Sequence, residues 1–370
     1  MTYYLIAGER SGDLHGGNLI KAIRQHDPDA RFRAWGGEQM ESAGATLVRH
    51  YRSMAFMGFL EVVQNLGTIR KNLRDCQTDL FQTRPDALIL IDYAGFNLRM
   101  ARFAKKHGIR VFYYISPKVW AWNQKRALKI KAVVDRMFVI FPFEVDFYKK
   151  YDYRVDYVGN PLMDAIAGFQ IDPEFRQTNS LGSKPVIALL PGSRHQEVAI
   201  MLPAMLEAIP HFPEYQFVVS GVSNLSPSLY REIMQRFPTI PIVTDNAYNL
   251  LSIADAALVT SGTATLETAL LNVPEVVCYK MTWLSYQVAN RVIAVPFISL
   301  VNLILNREAV TELKQFQLTT DNLIQELTRI LPGGSNHERQ LADYEELREQ
   351  VGGPGASDRA GELMVNYLRN

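Results

Sequence analysis

Short apolar runs rich in Val, Ile and Tyr alternate along the chain with longer stretches in which apolar residues recur every three or four positions. "YYLIA" (3–7), "DALILID" (86–92), "VFYYIS" (111–116), "DRMFVIF" (135–141) and "YRVDYVG" (153–159) read as buried strands with helices between them. That rhythm predicts a doubly wound parallel sheet. After "FMGF", Leu60, Val63, Leu66, Ile69, Leu73, Cys76 and Leu80 fall three or four apart and predict a core-facing helical stripe. Residues 167–184 then lose periodicity and collect Gly, Pro, Asn and Ser, as an interdomain connection would. A second series follows: "VIALLPG" (186–192), "YQFVVSG" (215–221), "IPIVTD" (240–245), "AALVTSG" (256–262) and "PEVVCYK" (274–280). Beyond Thr320 the pattern is helical to the end. The expected organisation is a first α/β domain over 1–166, a linker over 167–184 and a second α/β domain over 185–335. Helices over 336–370 would pack back on the first domain or on a partner subunit.

Composition changes little in this picture. A chain of 370 residues exceeds what one hydrophobic core organises, in keeping with two domains. The formal net charge of +1 gives no chain-wide field for nucleic acid. Cys76 and Cys278 stand far apart, which points to a reducing compartment and to neither a disulfide framework nor a zinc site. The start of the chain shows no secretory signal, and no apolar run reaches the roughly 18–20 residues that span a bilayer. Membrane contact, if present, is expected to be peripheral. The histidines are scattered without ligand spacing, so no metal or other cofactor is expected.

Parallel sheets bind ligands beyond the carboxyl ends of their strands, so the residues after each run carry the candidate chemistry. In "AGERSGDLHGG" (7–17), Glu9, Ser11, Gly12 and Asp13 follow the first strand. The spacing matches neither GxGxxG nor the P-loop, so the stretch is a plain glycine-rich turn or a ligand contact of another kind. Asp92 ends an apolar strand and either caps a helix or accepts a proton from a substrate hydroxyl. In "VIALLPGSRHQE" (186–197), Gly192, Ser193 and Arg194 precede a helix, an arrangement suited to a diphosphate or to a surface ion pair. In "LVTSGTATLETAL" (258–270), Ser261, Gly262 and Thr263 start a helix with Glu267 one turn on: a second phosphate and hydroxyl site, or an ordinary cap. "KVWAWNQKRALKIK" (118–131) sets Lys118, Lys125, Arg126, Lys129 and Lys131 beside Trp120 and Trp122 without an acid. It suits an anionic amphipathic lipid or a solvated helix face.

Taken together, "AGERSGD", "MGFLEV" (57–62), "IDYAGFNLRMA", "YYISPKVWAW" (113–122), "FPFEVDFY" (141–148), "LLPGSRHQEV", "SGTATLE" and "SLVNLILNREAVTELKQ" (299–315) run in order along nearly the whole chain. The set closely resembles the lipid-A-disaccharide synthase family, inverting glycosyltransferases of the GT-B type. The resemblance implies two Rossmann-like doubly wound domains facing an interdomain cleft, with a helical C-terminus. It implies transfer of a sugar from UDP-2,3-diacylglucosamine to 2,3-diacylglucosamine 1-phosphate, giving a β-1,6-linked disaccharide and UDP. Asp92 would be the base and Arg194 would stabilise the leaving diphosphate. Acceptor or lipid contacts would come from Glu9, Ser11, Gly12, Asp13, Asn97, Ser116, Trp120, Trp122, Arg126 and Asn160. The UDP moiety would meet Gly192, Ser193, Arg194, Glu197, Ser261, Gly262, Thr263, Glu267, Asn302, Glu312 and Gln315. Trp120, Trp122 and the 57–80 helix would dock acyl chains. The implied location is the cytoplasmic face of the inner membrane of a Gram-negative bacterium, with an anionic membrane surface as partner and a homodimer possible through the C-terminal helices.

The chain departs from the family pattern at Ala94, Asn160 and Val301, where relatives carry Pro, His and Pro. Asn160 can hydrogen-bond but cannot shuttle a proton. Rival readings are a UDP-sugar 2-epimerase, a transferase to another lipid acceptor, and a non-catalytic nucleotide-sugar scaffold. A nicotinamide dehydrogenase lacks its glycine fingerprint.

Overall fold

In a computed structural model, which describes residues 1–53, 65–281 and 295–370, the chain forms two compact units. Met1–Asp164 and Gly353–Asn370 make the first, and Ala165–Gly352 the second. The "MGFLEV" motif and the stripe positions Leu60 and Val63 lie outside the described residues.

Among the described residues, the first unit carries strands β1 (Thr2–Ala7), β2 (Arg31–Gly36), β3 (Thr46–His50), β4 (Ala87–Ile91), β5 (Arg110–Tyr114), β6 (Arg136–Val139) and β7 (Asp156–Tyr157). They pair in parallel in the order β3-β2-β1-β4-β5-β6-β7. The second unit carries β8 (Val186–Leu190), β9 (Gln216–Gly221), β10 (Ile242–Thr244), β11 (Ala254–Thr260), β12 (Glu275–Tyr279) and β13 (Thr311–Lys314). Their order is β10-β9-β8-β11-β12-β13, again all parallel. The strand order reverses between β1 and β4 and between β8 and β11, so each unit is doubly wound about one switch point.

The central strands form because both of their faces are covered. β4, "ALILI", is buried at every position, as a strand with helices on both sides must be. Three strands escape the sequence pattern. β2, "RFRAWG", mixes arginines with apolar residues, β3 is a half-buried edge, and β13, "TELK", is short and polar. Each gains its place from pairing with a stronger neighbour.

The helix Leu66–Thr83 shows the expected stripe rotated: Asn72, Cys76 and Leu80 are buried, whereas Leu66 is exposed. Polar bonds set that rotation. Asp79 accepts from the Tyr4 hydroxyl at 2.6 Å and from Arg33 Nε at 2.8 Å, and Arg49 binds Asn72 and Asp75.

The boundaries also differ from expectation. The stretch read as a linker packs into the second unit, where Phe175 and Leu181 join a buried cluster with Val186, Ala188 and Val218. Of the C-terminal helices, His337–Val351 belongs to the second unit. It buries Tyr344, Leu347 and Val351 and brackets the Glu275 backbone with the Gln340 amide, at 2.9 and 3.2 Å. The last helix, Ala356–Arg369, alone packs on the first unit, against the helix Arg10–His26. A Cβ at Gly361 would stand 2.9 Å from the Ile23 nitrogen, so only glycine permits that approach. Ala360, Met364 and Val365 join the cluster of Leu5, Leu19 and Ile23, so the apolar face of this helix is covered within its own chain.

Glu275, wholly buried at the start of β12, has no hydrogen-bond partner among the described residues on either carboxyl oxygen. Burial, and then the neighbouring Glu312 charge, push its carboxyl well above the usual range. Below about pH 4.3, the ordinary glutamate value, folded and unfolded chains both hold this proton. As pH rises further only the unfolded chain ionises, so stability falls until the raised folded value is passed. Relative to Glu275→Gln, wild type should therefore lose up to about 1.4 kcal/mol per pH unit across this window. Urea unfolding of both proteins at pH 5 to 8 checks this, and parallel pH dependences would show that the buried carboxyl does not govern it.

Candidate functional site

In the first unit the candidate residues gather at the carboxyl ends of β1, β4 and β5. β1 ends at Ala7, and Gly8-Glu9 lead into the helix Arg10–His26. Gly8 lies under the Tyr93 ring, where a Cβ would stand 2.3 Å from Cγ. Glu9 is half-buried and its charge, after burial, raises the Tyr93 phenol. Ser11 is exposed in the first helical turn. Gly12 is a packing residue, 3.1 Å from the Ala7 Cβ if a side chain were added.

Asp13 corrects an expectation. It is 1% exposed, and its carboxylate accepts from the Gly37, Gln39 and Met40 amides at 2.7, 3.0 and 3.2 Å. It caps the helix Glu38–Ser42 and has no face left for a ligand.

Asp92, directly after β4, is exposed at this edge. The surrounding protein raises its carboxyl above the usual aspartate range, while Lys118 and the Tyr93 amide pull it back. A carboxylate whose proton affinity is raised is better suited to accept a proton. Asn97, read as a substrate contact, is fully buried and donates to the Ile91 and Asp92 carbonyls at 3.1 and 2.8 Å.

Three further residues turn inward. Ser116 is buried against the Tyr148 hydroxyl at 2.7 Å. Trp120 is 5% exposed and donates its indole N–H to Glu144 at 3.2 Å. Asn160 is buried, its oxygen accepting from the Leu162 amide at 3.0 Å. Trp120 therefore offers no acyl dock. Trp122, 48% exposed with the Arg126 guanidinium 5.6 Å from its ring centroid, remains on the surface with Leu128, Lys125 and Lys129.

Glu144 was missed from the sequence. Its carboxyl also accepts from the Ile140 and Phe141 amides, and burial pushes it up to about 7. Its position three residues after Phe141, at a helix begun by Pro142, is the signal that could have found it.

In the second unit β8 and β11 are neighbours, so the loops after them leave the sheet side by side. Gly192, at φ +108°, turns the chain closely around Glu197, whose Oε2 would lie 2.6 Å from a Cβ placed there. The expected anion cradle is already filled by this carboxylate: Glu197 accepts from the Ser193 and Arg194 amides at 3.1 and 3.3 Å and from Arg194 Nη1 at 2.9 Å. Arg194 is nevertheless 63% exposed, so its guanidinium, and not the two amides, is what the loop presents.

After β11, Gly262 has open space where a Cβ would point, Thr263 is exposed, and among the described residues no side chain caps the helix Thr263–Leu270. Glu267 accepts from the Tyr248 hydroxyl at 3.1 Å, and burial raises its carboxyl. Tyr248 was not foreseen. Neither was Tyr279 at the end of β12, whose phenol is raised by burial and then by Glu197, and lowered by Arg194.

Four residues expected on the nucleotide are fastened to the main chain instead. Ser261 donates to the Ile298 carbonyl at 2.8 Å. Asn302 accepts from the Ala309 and Val310 amides at 2.8 and 2.9 Å and donates to the Val310 carbonyl and Glu312 at 2.8 and 3.0 Å. Glu312 also takes the Ile298 and Ser299 amides, at 3.0 and 2.9 Å. Gln315 pairs with both main-chain groups of Met281, at 3.1 and 2.9 Å. Buried polar groups need such partners, and these found them in backbone far away in sequence.

Two doubly wound parallel sheets, with their candidate ligand residues at carboxyl strand ends, define the GT-B fold of nucleotide-sugar enzymes. Solved structures agree at the level of fold. UDP-GlcNAc 2-epimerase from Neisseria meningitidis bound to UDP-GlcNAc matches with a TM-score of 0.68 and 14% identity, covering 100% of both chains. The UDP-GlcNAc 2-epimerase of Methanocaldococcus jannaschii, in complex with UDP-GlcNAc and UDP, matches at 0.62 and 15%, covering 100% of this chain and 99% of that one. The sequence profile described as Lipid-A-disaccharide synthetase matches residues 3–365. Lipid-A-disaccharide synthase of Geobacter metallireducens is 36% identical, over 98% of this chain and 96% of its own. That of Syntrophus aciditrophicus is 37% identical, over 99% and 97%. The chain belongs to the lipid-A-disaccharide synthetase family, and it is a hexosyltransferase.

The geometry separates a clamp from a ligand contact at Asn302. Asn302→Ala strips the Val310 amide and carbonyl of their partner and leaves the Ala309 amide only the Arg307 carbonyl, and should cost about 2 kcal/mol or more in urea unfolding. Thr263→Ala, on the exposed helix start, should cost within about 0.5 kcal/mol. Unchanged stability in Asn302→Ala together with weakened UDP binding would return this residue to the ligand.

Proposed function

We propose that the protein transfers the acylated glucosamine of UDP-2,3-diacylglucosamine to the 6-hydroxyl of 2,3-diacylglucosamine 1-phosphate, giving a β-1,6-linked disaccharide and UDP. The observation that carries this reading to a mechanism is the placement of Asp92: an exposed carboxylate at a strand end, with raised proton affinity and Lys118 acting on it.

As the acceptor oxygen bonds to the anomeric carbon, its proton passes to Asp92. The bond from that carbon to the UDP oxygen breaks with its electron pair on the diphosphate, and the configuration inverts. Arg194 meets the growing diphosphate charge with the donors that Glu197 leaves open, aided by the uncapped helix start at Thr263. Glu267, its carboxyl raised by burial and held by Tyr248, receives ribose hydroxyls. In this reading protein cations and helix dipoles supply the charge stabilisation without a metal ion.

Exposed Trp122 and Leu128 among Lys118, Lys125 and Lys129 form the face for an anionic membrane surface, where both lipid substrates reside. Among the described residues no helix is long and apolar enough to cross a membrane. The reading places the protein peripherally on the cytoplasmic side.

The test is UDP release in detergent from UDP-2,3-diacylglucosamine, with and without the acceptor. Release should require the acceptor and fall about 10²- to 10⁴-fold in Asp92→Asn. The active form is the carboxylate, so the rate should drop as pH falls through the Asp92 value, at a midpoint above the ordinary 3.8. Acceptor-independent conversion of the UDP-sugar would favour an epimerase, and full activity in Asp92→Asn would remove the base.

A further inference from the structure

The chain leaves β4 through two consecutive residues in the left-handed region, Asp92 at φ 43° and Tyr93 at φ 47°. Aspartate tolerates that conformation better than most residues, but tyrosine does not, and two such residues in succession need an external hold. The Asp92 main chain supplies one. Its amide donates to the Tyr114 carbonyl at 3.3 Å, just beyond the paired residues of β4 and β5.

Its carbonyl is gripped twice. Asn97 Nδ2 donates to it at 2.8 Å, and the Tyr113 hydroxyl donates to it as well. The two donors come from separate elements, Asn97 from the first turn of the helix Ala94–Lys106 and Tyr113 from β5. Both are wholly buried. The far side of the turn is closed by the Tyr93 ring, which lies over Gly8 and stacks on Phe96 at 5.7 Å.

The direction of the Cα–Cβ bond at residue 92 follows from where the amide nitrogen and carbonyl carbon of that residue are held, the first by the Tyr114 carbonyl and the second through the grip on its oxygen. Relaxing the turn to relieve the left-handed φ of Asp92 and Tyr93 would shift both atoms, and it would also turn the carboxylate away. The two buried donors oppose that relaxation, since Tyr113 would lose its acceptor and Asn97, which also reaches the Ile91 carbonyl, would lose its shorter bond.

We propose that Asn97 and Tyr113 are positioning residues that act through one shared acceptor, the Asp92 carbonyl, to hold the strained turn that presents the Asp92 carboxylate. The proposal rests on the reading of Asp92 as the base, and it adds the device that keeps the base aimed. It gives Asn97 a role that a substrate contact would not: it touches the main chain of the base and never the reacting atoms.

The experiment uses the full chain with ¹³C-carboxyl-labelled aspartate, the Asp92 signal assigned by its loss in Asp92→Asn. Lys118 and the Tyr93 amide favour the carboxylate, burial favours the acid, and the buried Tyr113 hydroxyl faces the same residue. In wild type, Asp92 should titrate above the ordinary aspartate range. In Tyr113→Phe and Asn97→Ala the carboxylate leaves the surroundings that raise it, and its titration should move down toward that range.

In the UDP-release assay, kcat should fall about tenfold or more in each variant, with KM held within about twofold. Because both donors serve one carbonyl, the double variant should be no worse than the weaker single within about twofold. An Asp92 titration identical to wild type in both variants overturns the proposal, even if kcat falls, because the loss then belongs to general destabilisation. If Asn97→Ala does not fold, Tyr113→Phe, which lacks only a hydroxyl, decides alone. If wild type releases no UDP, the transferase reading fails while the titration still decides the positioning claim.

Discussion

Parallel strands cannot be joined by tight turns. Each connection must cross the sheet, so every strand in a unit delivers its carboxyl end to the same edge. The rest of this structure depends on that constraint. It brings the turns after β1, β4 and β5 together although they lie at residues 8, 92 and 115 of the sequence. It does the same for the loops after β8 and β11, which carry Arg194 and the helix start at Thr263.

Within that frame, the polar residues of the motifs do more for the backbone than for any ligand. Asp13 holds three amides, Glu197 holds two, and Asn302, Glu312 and Gln315 fasten loops. Loops at a strand edge have no ladder to satisfy their amides and carbonyls, and a buried side chain is the available substitute. The polar candidates left exposed include Ser11 and Asp92 in the first unit, and Ser193, Arg194 and Thr263 in the second. A motif can therefore be specific for a chemistry while most of its members never touch the reactants.

The same distinction explains what could be read from the sequence. β4 and β8 were legible because continuous apolar runs have no other stable use in a chain of this composition, and Asp92 was legible because a charge ends one of those runs. β2 and β13 were not, since their charged residues hide strands made stable by neighbours. Asn97 and Asn302 looked like ligand contacts because a sequence records a side chain's donors and acceptors but not whether main-chain carbonyls and amides have taken them. Glu144 looked like an ordinary helical glutamate for the converse reason, that burial is absent from a local reading. The resemblance to a family supplied the reaction, and the coordinates reassigned the parts.

The first unit is discontinuous, built from residues 1–164 and the final eighteen, 353–370. During synthesis, the side of the helix Arg10–His26 that will receive Gly361, beside the backbone of Ala22 and Ile23, stays uncovered while the whole second unit is made. The first unit to leave the ribosome is thus the last to finish folding. An interrupted or C-terminally clipped chain would display an unfilled apolar seat on an otherwise formed sheet, the kind of surface that chaperones hold and proteases act upon. Completion of the first unit therefore waits until the whole of the second has been made.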